Sequence, residues 1–263
     1  MPFAHCYFLI KANFTAVKIY GSNFFQMENR EAIGKWYDEF AGQQVKTNVN
    51  LRHYKIMEFL ARAGLTRQSK VLEIGCGIGT LTGLILKYVN KGEVVAVDIS
   101  PTSVEIARTR LRSYPNVHLM VSDMTDFTYT GIFDFIILPD VLEHIPSGQH
   151  RDLFRTLTGY MHENSVILIH IPHPRAIDYI RKTKPDQLQI IDQAIEADSL
   201  LADIYANDLV LVSYLSYPLF DRENDYAVIV LRKRTDVEFS PLPRKTIITR
   251  KLLARIRFLL ARL

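Results

Sequence analysis

The sequence predicts an α/β protein built on a doubly wound sheet of seven strands, with the last strand antiparallel. Short runs rich in valine and isoleucine alternate with helical stretches through the middle of the chain, which is typical of parallel strands joined by helices. Near the end, two such runs follow each other with no helix between them, so an antiparallel pair is expected. A helical cap before the first strand and an amphipathic helix at the end complete the predicted architecture.

Composition sets the class of protein. The chain has 263 residues, of which 48% are hydrophobic and 23% charged, as in one large globular domain with additions. The formal charge of +4 is local, because residues 244–262 contain seven Lys and Arg and no acid. The rest is slightly acidic, so no nucleic-acid partner is expected. Of the two cysteines, Cys6 and Cys76, the second lies inside a glycine-rich turn, which favours a reducing, cytoplasmic compartment.

Residues 1–26 form an apolar N-terminal extension. They lack a basic first segment and a clear cleavage site, so a signal peptide is not expected. Two interpretations stay open. The protein could naturally begin at Met27, with residues 1–26 added by an upstream start site, or these residues could form an added edge strand or flap. No later run reaches the roughly 18 apolar residues of a membrane-spanning helix, so a soluble or peripheral protein is expected.

Residues 27–64 are predicted to form a helical cap of two helices over the strand ends. Apolar residues recur there at spacings of three and four, namely Ile33, Trp36, Tyr37 and Phe40, then Ile56, Phe59, Leu60 and Ala63. Gly64 is expected to end the second helix. Trp36 and Tyr37 are interpreted as packing residues.

The first predicted strand, Val71–Ile74, runs into three alternating glycines and then a helix. Glycine at positions 75, 77 and 79 allows positive φ and lets a ligand approach the backbone. The free N–H groups at the start of the following helix would face that ligand. The pattern therefore predicts a ligand-binding turn.

The later strands end in polar residues. The run Glu93–Asp98 places Asp98 about 20 residues after the glycines, where a second parallel strand delivers an acid to ribose hydroxyls. The alternative is that Asp98 caps the helix that follows Ser100 and Pro101. Further strands are predicted at 117–121, 133–138, 166–171, 209–215 and 226–231. Such sheets bind ligands at the carboxyl ends of their strands, where Asp123, Asp140, Glu143, His144 and His173 all fall.

Four markers in order resemble the class I S-adenosylmethionine-dependent methyltransferases, which have a Rossmann-like fold. The markers are Glu73-x-Gly75-x-Gly77-x-Gly79, Asp98, Ser122-Asp123-Met124, and the stretch from Asp134 through Pro139 to Glu143-His144. The resemblance covers residues 52–233. The nicotinamide fingerprint Gly-x-Gly-x-x-Gly is not met, because position 80 is Thr.

The resemblance implies S-adenosylmethionine as the cofactor. The expected cofactor-binding residues are Glu73, Gly75, Cys76, Gly77, Gly79, Asp98, Ile99, Asp123, Met124 and Pro139. By resemblance, the glycine loop would wrap the methionine part, with Glu73 orienting the loop and its ligand.

The adenosine part would lie further along the sheet edge. Asp98 would hold the ribose hydroxyls, Ile99 would pack on the adenine, and Asp123 with the Met124 backbone would read the adenine edge. Pro139 would lie where the loop after the fourth strand passes the methyl donor. A sulfonium is already activated, so the protein mainly has to align the acceptor and remove its proton if needed.

Two histidines are candidate catalytic residues. His144 follows the fourth strand and could serve as a general base, and His173, fixed between Pro172 and Pro174, could do the same. In the alternative interpretation, both are hydrogen-bonding struts.

A metal site is the less favoured possibility. Asp140, Glu143 and His144 lie within about one helical turn of each other, and His170 or His173 could add a ligand. The spacing resembles the Glu-x-x-Glu-His motif of methyltransferases that act on RNA ends or quinone precursors, with Asp140 replacing the first Glu. No metal is expected.

The core is predicted over residues 65–235, with a lid insertion at about 174–208. The stretch from Asp186 to Ala206 is interpreted as one or two helices over the strand ends. Tyr179, Tyr205, Tyr214 and Tyr217 are candidates for lining it.

Residues 240–263 are predicted to form a basic amphipathic helix. Leu252, Ile256 and Leu259 share one face of it, while Arg250 and Arg257 lie on the other. Residues 245–263 could lie on an anionic membrane, which would place the protein at the inner membrane face. The alternatives are docking on the domain or on a second subunit, as in a homodimer, with attraction to RNA a distant third.

The preferred function is therefore S-adenosylmethionine-dependent methylation of a small molecule, such as a sugar, a lipid-linked intermediate or a carboxylate, on oxygen or nitrogen. The alternatives are the metal-assisted enzyme above and a non-enzymatic nucleotide-binding module.

Overall fold

A computed structural model describes residues 48–188, 191–236 and 238–260. The predictions for the N-terminal extension 1–26 and for the helix that contains Trp36 and Tyr37 lie outside these residues. The description therefore begins with the second predicted cap helix.

The described residues form a seven-stranded sheet with the order β3-β2-β1-β4-β5-β7-β6. The strands are β1 Lys70–Ile74, β2 Glu93–Asp98, β3 Val117–Val121, β4 Phe133–Pro139, β5 Met161–Pro172, β6 Leu209–Tyr217 and β7 Tyr226–Lys233. Strands β1 to β5 are parallel, and β7 is antiparallel to both of its neighbours. The predicted fold class is confirmed.

Helices cover both faces of the sheet. They are α1 Leu51–Arg62, α2 Thr80–Tyr88, α3 Pro101–Leu111, α4 Ser147–Gly159, α5 Pro174–Thr183, α6 Ala197–Tyr205 and α7 Arg244–Leu260. On one face Ile56 of α1 and Ile85 of α2 pack against the sheet, and on the other Phe154 of α4 and Ile204 of α6 do so. The valine and isoleucine strands are buried because both faces are covered.

The end of α1 agrees with the sequence signal, whereas the cap at the start of α3 is Ser100 and not Asp98, the alternative raised from the sequence. Gly64 follows α1 with a φ of 101°, a conformation that glycine adopts without strain, so α1 ends there as predicted. Ser100 caps α3 through its side chain, which accepts a hydrogen bond from the Ser103 N–H.

The predicted helical stretch 186–206 is wrong in part. A short 3-10 turn covers Pro185–Gln187, residues 192–196 have no regular structure, and only Ala197–Tyr205 is an α-helix. Another helix, α5, lies in the first part of the predicted lid and begins at Pro174. The irregular segment instead hydrogen-bonds to the turn after β4, which replaces the hydrogen bonds of a helix.

Helix α7 forms where an amphipathic helix was predicted. None of its side chains is buried, and all except Thr246 are exposed. Within the described ranges, no helix is both long enough and apolar enough to cross a membrane.

Candidate active site

The glycine loop after β1 depends on having no side chains. Gly75 and Gly79 have φ values of 75° and 78°. A Cβ on Gly75 would lie 2.2 Å from Val141 Cγ2, and one on Gly79 would lie 2.8 Å from Leu111 Cδ1. The loop therefore packs directly against the turn after β4 and against α3, and glycine is required at both positions.

Glu73, in β1 just before this loop, is a buried acid without hydrogen bonds. It is 1% exposed, and neither carboxylate oxygen has a partner among the described residues. Burial raises the pKa of Glu73 to about 8, although the nearby Thr82 hydroxyl offsets part of this rise. A buried carboxyl group without a partner is costly, which makes Glu73 a candidate for binding a ligand.

Asp98, at the end of β2, binds the glycine loop. Its carboxylate accepts hydrogen bonds from the Gly77 N–H at 2.7 Å and from the Ser100 N–H at 2.9 Å. Asp98 thus fixes the glycine loop to the end of β2, and its contact with a ribose stays a prediction.

The end of β3 is arranged by its own side chains. Asp123 accepts hydrogen bonds from the N–H and the hydroxyl of Thr125, and the Met124 N–H donates to the Ser122 hydroxyl at 3.0 Å. Since the Met124 N–H is engaged, it would have to leave Ser122 to read an adenine. Ile99, which follows Asp98, is half-buried. The contacts of Ile99, Asp123 and Met124 with an adenine stay predictions.

The turn after β4 carries a chain of polar groups that reaches three strands. Pro139 ends β4, and Asp140 follows with a φ of 54°. Asp140 Oδ1 lies 2.8 Å from His170 Nδ1 on β5, and His170 Nε2 lies 2.7 Å from the Tyr217 hydroxyl on β6. Arg52, at the start of α1, forms an ion pair with the other Asp140 oxygen.

The electrostatics of this chain keep Asp140 ionised. Burial alone would raise the pKa of Asp140, but the Arg52 guanidinium and the His170 imidazole hold it below its usual value. In the tautomer in which His170 Nδ1–H donates a hydrogen bond to Asp140, Nε2 accepts a hydrogen bond from the Tyr217 hydroxyl. We call Asp140, His170 and Tyr217 the relay.

His144 lies in a second cluster, on the 3-10 turn Leu142–His144. Its Nδ1 lies 3.1 Å from Asp192 Oδ1 and 2.6 Å from the Ile191 carbonyl oxygen. Burial alone would lower the pKa of His144, but Glu143 and Asp192 raise it to about 9. A protonated imidazole cannot accept a proton, so this arrangement favours His144 as an ionic strut over a general base.

The segment before α6 is hydrogen-bonded to the same turn. The Gln193 N–H donates to the Glu143 carbonyl, and its side chain donates to the Ile145 carbonyl at 2.7 Å. Burial raises the pKa of the Glu143 carboxyl group. Asp192 and Gln193 therefore hold the segment before α6 against the turn after β4.

The remaining sequence candidates have local contacts. His173 caps α5, with Nδ1 accepting a hydrogen bond from the Arg175 N–H, and burial lowers its pKa. Cys76 is buried, which raises the pKa of its thiol well above the usual value. Across residues 48–188, 191–236 and 238–260, no three His, Cys, Asp or Glu side chains are grouped to hold a metal ion. Asp140 pairs with Arg52 and His170 instead of with Glu143.

Sequence reasoning missed the relay as a unit. Asp140 and His170 were considered only as metal ligands and Tyr217 only as a lining residue, while Arg52 and Asp192 were not considered. His170 lies inside an apolar run, and a buried imidazole needs partners, which is the signal that could have found it. No local sequence pattern indicates that Asp140 and Tyr217 are the partners of His170.

The fold and site define a class of protein. A parallel sheet with a glycine loop after β1, an acid at the end of β2 and an antiparallel β7 is the architecture of class I methyltransferases. A methyltransferase-domain family model matches residues 71–164. An uncharacterized methyltransferase of Staphylococcus carnosus is 30% identical over 146 residues, covering 54% of this chain and 67% of that protein. The chain belongs to the class I S-adenosylmethionine-dependent methyltransferase family.

Another relative matches a smaller part of this chain. A trans-aconitate 2-methyltransferase of Methylobacterium radiotolerans is 31% identical over 115 residues, which is 44% of this chain and 42% of that protein. The chain thus spans less than half the length of this relative.

Solved structures share the fold. An S-adenosylmethionine-dependent methyltransferase from Clostridium acetobutylicum has a TM-score of 0.58 at 14% identity, covering 76% of this chain and 99% of that one. The N-methyltransferase NodS from Bradyrhizobium japonicum, solved with S-adenosyl-L-homocysteine, has a TM-score of 0.56 at 17% identity, with 69% and 85% covered.

Proposed function

We propose that this chain transfers the methyl group of S-adenosylmethionine to an oxygen or nitrogen atom of a small molecule. The observation that carries the proposal is the Glu73 carboxyl group, buried without a partner beside a glycine loop that tolerates no Cβ. A cationic ligand that approaches the backbone accounts for both features.

The described residues fit the cofactor. The loop from Gly75 to Gly79 and Glu73 would hold its methionine part, and the Asp98 carboxylate would hold the ribose hydroxyls. Ile99, Asp123 and Met124 are proposed for the adenine, and Pro139 for the passage beside the methyl donor. Bound S-adenosylmethionine supplies an activated methyl group on a sulfonium sulfur.

The acceptor side is proposed at the relay. Val141 Cγ2 lies 2.2 Å from the position that a Gly75 Cβ would take, so the turn that carries Asp140 adjoins the glycine loop. A hydroxyl or ammonium acceptor must lose a proton, which Tyr217 can take as its own proton moves to His170 Nε2. The imidazolium that forms would be stabilised by Asp140.

Two acceptor classes follow from this geometry. Hydroxyl and amine acceptors, including sugars and lipid-linked intermediates, would use the relay. A carboxylate acceptor, such as the trans-aconitate named for one relative, is already ionised at neutral pH and needs only alignment. The segment 174–208 would cover either acceptor.

Calorimetry with S-adenosylmethionine tests the cofactor half. We expect saturable binding, and a chain that fails to bind at millimolar cofactor would defeat the proposal. Transfer of a labelled methyl group to trans-aconitate, to a small primary amine and to a sugar then tests the acceptor half. Binding without transfer to any acceptor would support a nucleotide-binding module instead.

We also propose that α7 places the protein on the anionic inner face of a membrane, in the cytoplasm. The exposed apolar side chains Ile248, Leu252 and Ile256 alternate with basic residues, and residues 239–260 contain no acid. Such a helix can bury its apolar face in the interface while Lys and Arg contact lipid phosphates.

Liposome flotation tests the membrane proposal. We expect the full chain to float with vesicles that contain phosphatidylglycerol, and less with pure phosphatidylcholine. The matched control ends at Phe239 and should stay at the bottom of the gradient. Equal flotation of both chains would contradict the proposal, and dimerisation through α7 would appear as a concentration-dependent mass instead.

A further inference from the structure

The buried face of α1 ends in a histidine. The buried residues of this helix are His53, Ile56 and Leu60, whose spacings of three and four place them on one side of it. Ile56 and Leu60 pack in the apolar core, whereas His53, one turn nearer the helix start, continues the same stripe with a polar ring. Its neighbour Arg52 forms the ion pair with Asp140. The imidazole therefore lies at the end of α1 that adjoins the proposed acceptor half.

The capping box at the start of α1 fixes the tautomer of His53. The Asn50 N–H donates a hydrogen bond to His53 Nδ1 at 3.1 Å, and the Asn50 side chain accepts one from the Arg52 N–H at 3.0 Å. A ring nitrogen that accepts a hydrogen bond carries no proton, so the proton of the neutral ring is on Nε2. Burial lowers the pKa of His53 to about 4, which agrees with a neutral ring.

Nε2 is the part of the His53 ring that stays accessible. Among the described residues this nitrogen has no hydrogen-bond partner, and it is not one of the fully buried polar atoms that lack a partner. His53 as a whole is only 8% exposed. The small exposed part of this residue therefore includes its N–H donor.

The charge beside this donor selects the kind of group that it can bind. The Arg52 guanidinium acts more strongly on His53 than the Asp140 carboxylate does, and the Arg52 side chain is 30% exposed. An ammonium group has only donors, so it cannot accept the Nε2–H, and Arg52 would repel it. A carboxylate oxygen accepts hydrogen bonds and is attracted by the guanidinium.

We propose that the Nε2–H of His53 anchors a carboxylate group of the methyl acceptor. This inference rests on the proposed function and narrows the acceptor to small molecules that carry a carboxylate. The methyl group then goes to that carboxylate or to a hydroxyl or amine of the same molecule. His53 acts as a binding residue and not as a base, because Nε2 already carries a proton. No covalent bond forms or breaks in this contact.

NMR of the full chain with isotopically labelled histidine tests the donor directly. In the complex with S-adenosylhomocysteine, the signal that His53→Leu removes should be that of a neutral ring with its proton on Nε2. Acetate and succinate should shift this signal saturably, whereas acetamide, the uncharged analogue of acetate, should not. His118, an exposed histidine on β3, is the control in the same spectrum and should show no saturable shift.

Calorimetric titration of succinate into the same complex separates binding from helix capping. His53→Leu removes the donor and should weaken succinate binding about tenfold, as expected for one hydrogen bond to a charged group. His53→Gln keeps a capping oxygen and an N–H donor, so its affinity should stay within about threefold of wild type. Asn50→Ala weakens the cap but keeps His53, and it should also stay within about threefold. Thermal unfolding establishes that each variant is folded.

The outcomes separate this inference from the proposed function. A His53 ring with its proton on Nδ1, no saturable shift with either carboxylate, or equal succinate affinity of His53→Leu and wild type would each overturn the inference. Equal losses in His53→Leu and Asn50→Ala would also overturn it, because the effect would then come from the helix start. All these results leave the proposed function intact if S-adenosylhomocysteine binds. A wild-type chain that binds neither S-adenosylmethionine nor S-adenosylhomocysteine would defeat the proposed function, and this inference with it.

Discussion

The two halves of the site differ in how they are built. In the proposed cofactor half, Glu73, the glycine loop and Asp98 come from two neighbouring strands and the turns that follow them. In the proposed acceptor half, Asp140, His170 and Tyr217 come from three strands, and Arg52 joins them from α1. Local sequence spacing sets the first half, and long-range strand order sets the second.

The largest expected effect is in the cofactor half. Gly75→Ala would force a Cβ against Val141 and strain a positive φ, so we expect stability to fall by about 3 kcal/mol. We also expect cofactor affinity to fall more than tenfold, measured by urea unfolding and calorimetry.

The matched control for Gly75→Ala is Gly148→Ala. A Cβ on Gly148, in α4, meets nothing within 4 Å, so stability should change by less than about 0.5 kcal/mol. Equal effects at the two glycines would mean that the close approach of Val141 to the loop does not matter.

The next effect lies in the acceptor half. Tyr217→Phe removes the hydroxyl and leaves His170 Nε2 without its partner, which should cost about 1 kcal/mol of stability. Transfer to a hydroxyl or amine acceptor should slow about 100-fold, because the acceptor proton loses its path, while S-adenosylmethionine binds normally.

Tyr179→Phe is the control for Tyr217→Phe, since Tyr179 is an exposed tyrosine on α5. It should leave the transfer rate and stability unchanged. The relay would be contradicted if Tyr217→Phe methylated hydroxyl or amine acceptors at the wild-type rate.

The smallest expected effect on stability comes from the ion pair between His144 and Asp192. The pKa of His144 is raised from 6.5 to about 9 in the folded protein, so its stabilisation is complete below pH 6.5 and is lost as pH rises through about 9. Asp192→Asn should therefore lower stability by about 1 kcal/mol at neutral pH, with a smaller difference from wild type at higher pH.

Urea unfolding across this pH range measures the difference. Asp186→Asn, an exposed carboxylate on the short turn after α5, is the control and should show no pH-dependent difference from wild type. A constant difference for Asp192→Asn at all pH values would show that Asp192 acts without the His144 charge.

The sequence predicted more of the fold than of the site. Apolar runs marked all seven strands, and Gly64 marked the end of α1, because both signals are local. The segment 191–196 was wrongly included in a helical stretch, because its apolar spacing matches a helix while its hydrogen bonds go to the turn after β4.

The partners of the buried polar groups could not be predicted. His144 was considered as a base, yet Asp192, far along the chain, raises its pKa. Asp140 was considered as a metal ligand, yet Arg52 and His170 occupy its carboxylate. Each of these pairings depends on which strand ends become neighbours.

By itself, the sequence determined the strands, the glycine loop and the acid at the end of β2, because backbone conformation and burial act over a few residues. Only the tertiary structure decided that Asp140, His170 and Tyr217 form one chain. Strand order brings these residues to one edge of the sheet. It also decided that the buried Glu73 carboxyl group lies beside the Thr82 hydroxyl. Burial and hydrogen-bond satisfaction are properties of all the elements packed around a group, so no local pattern can state them.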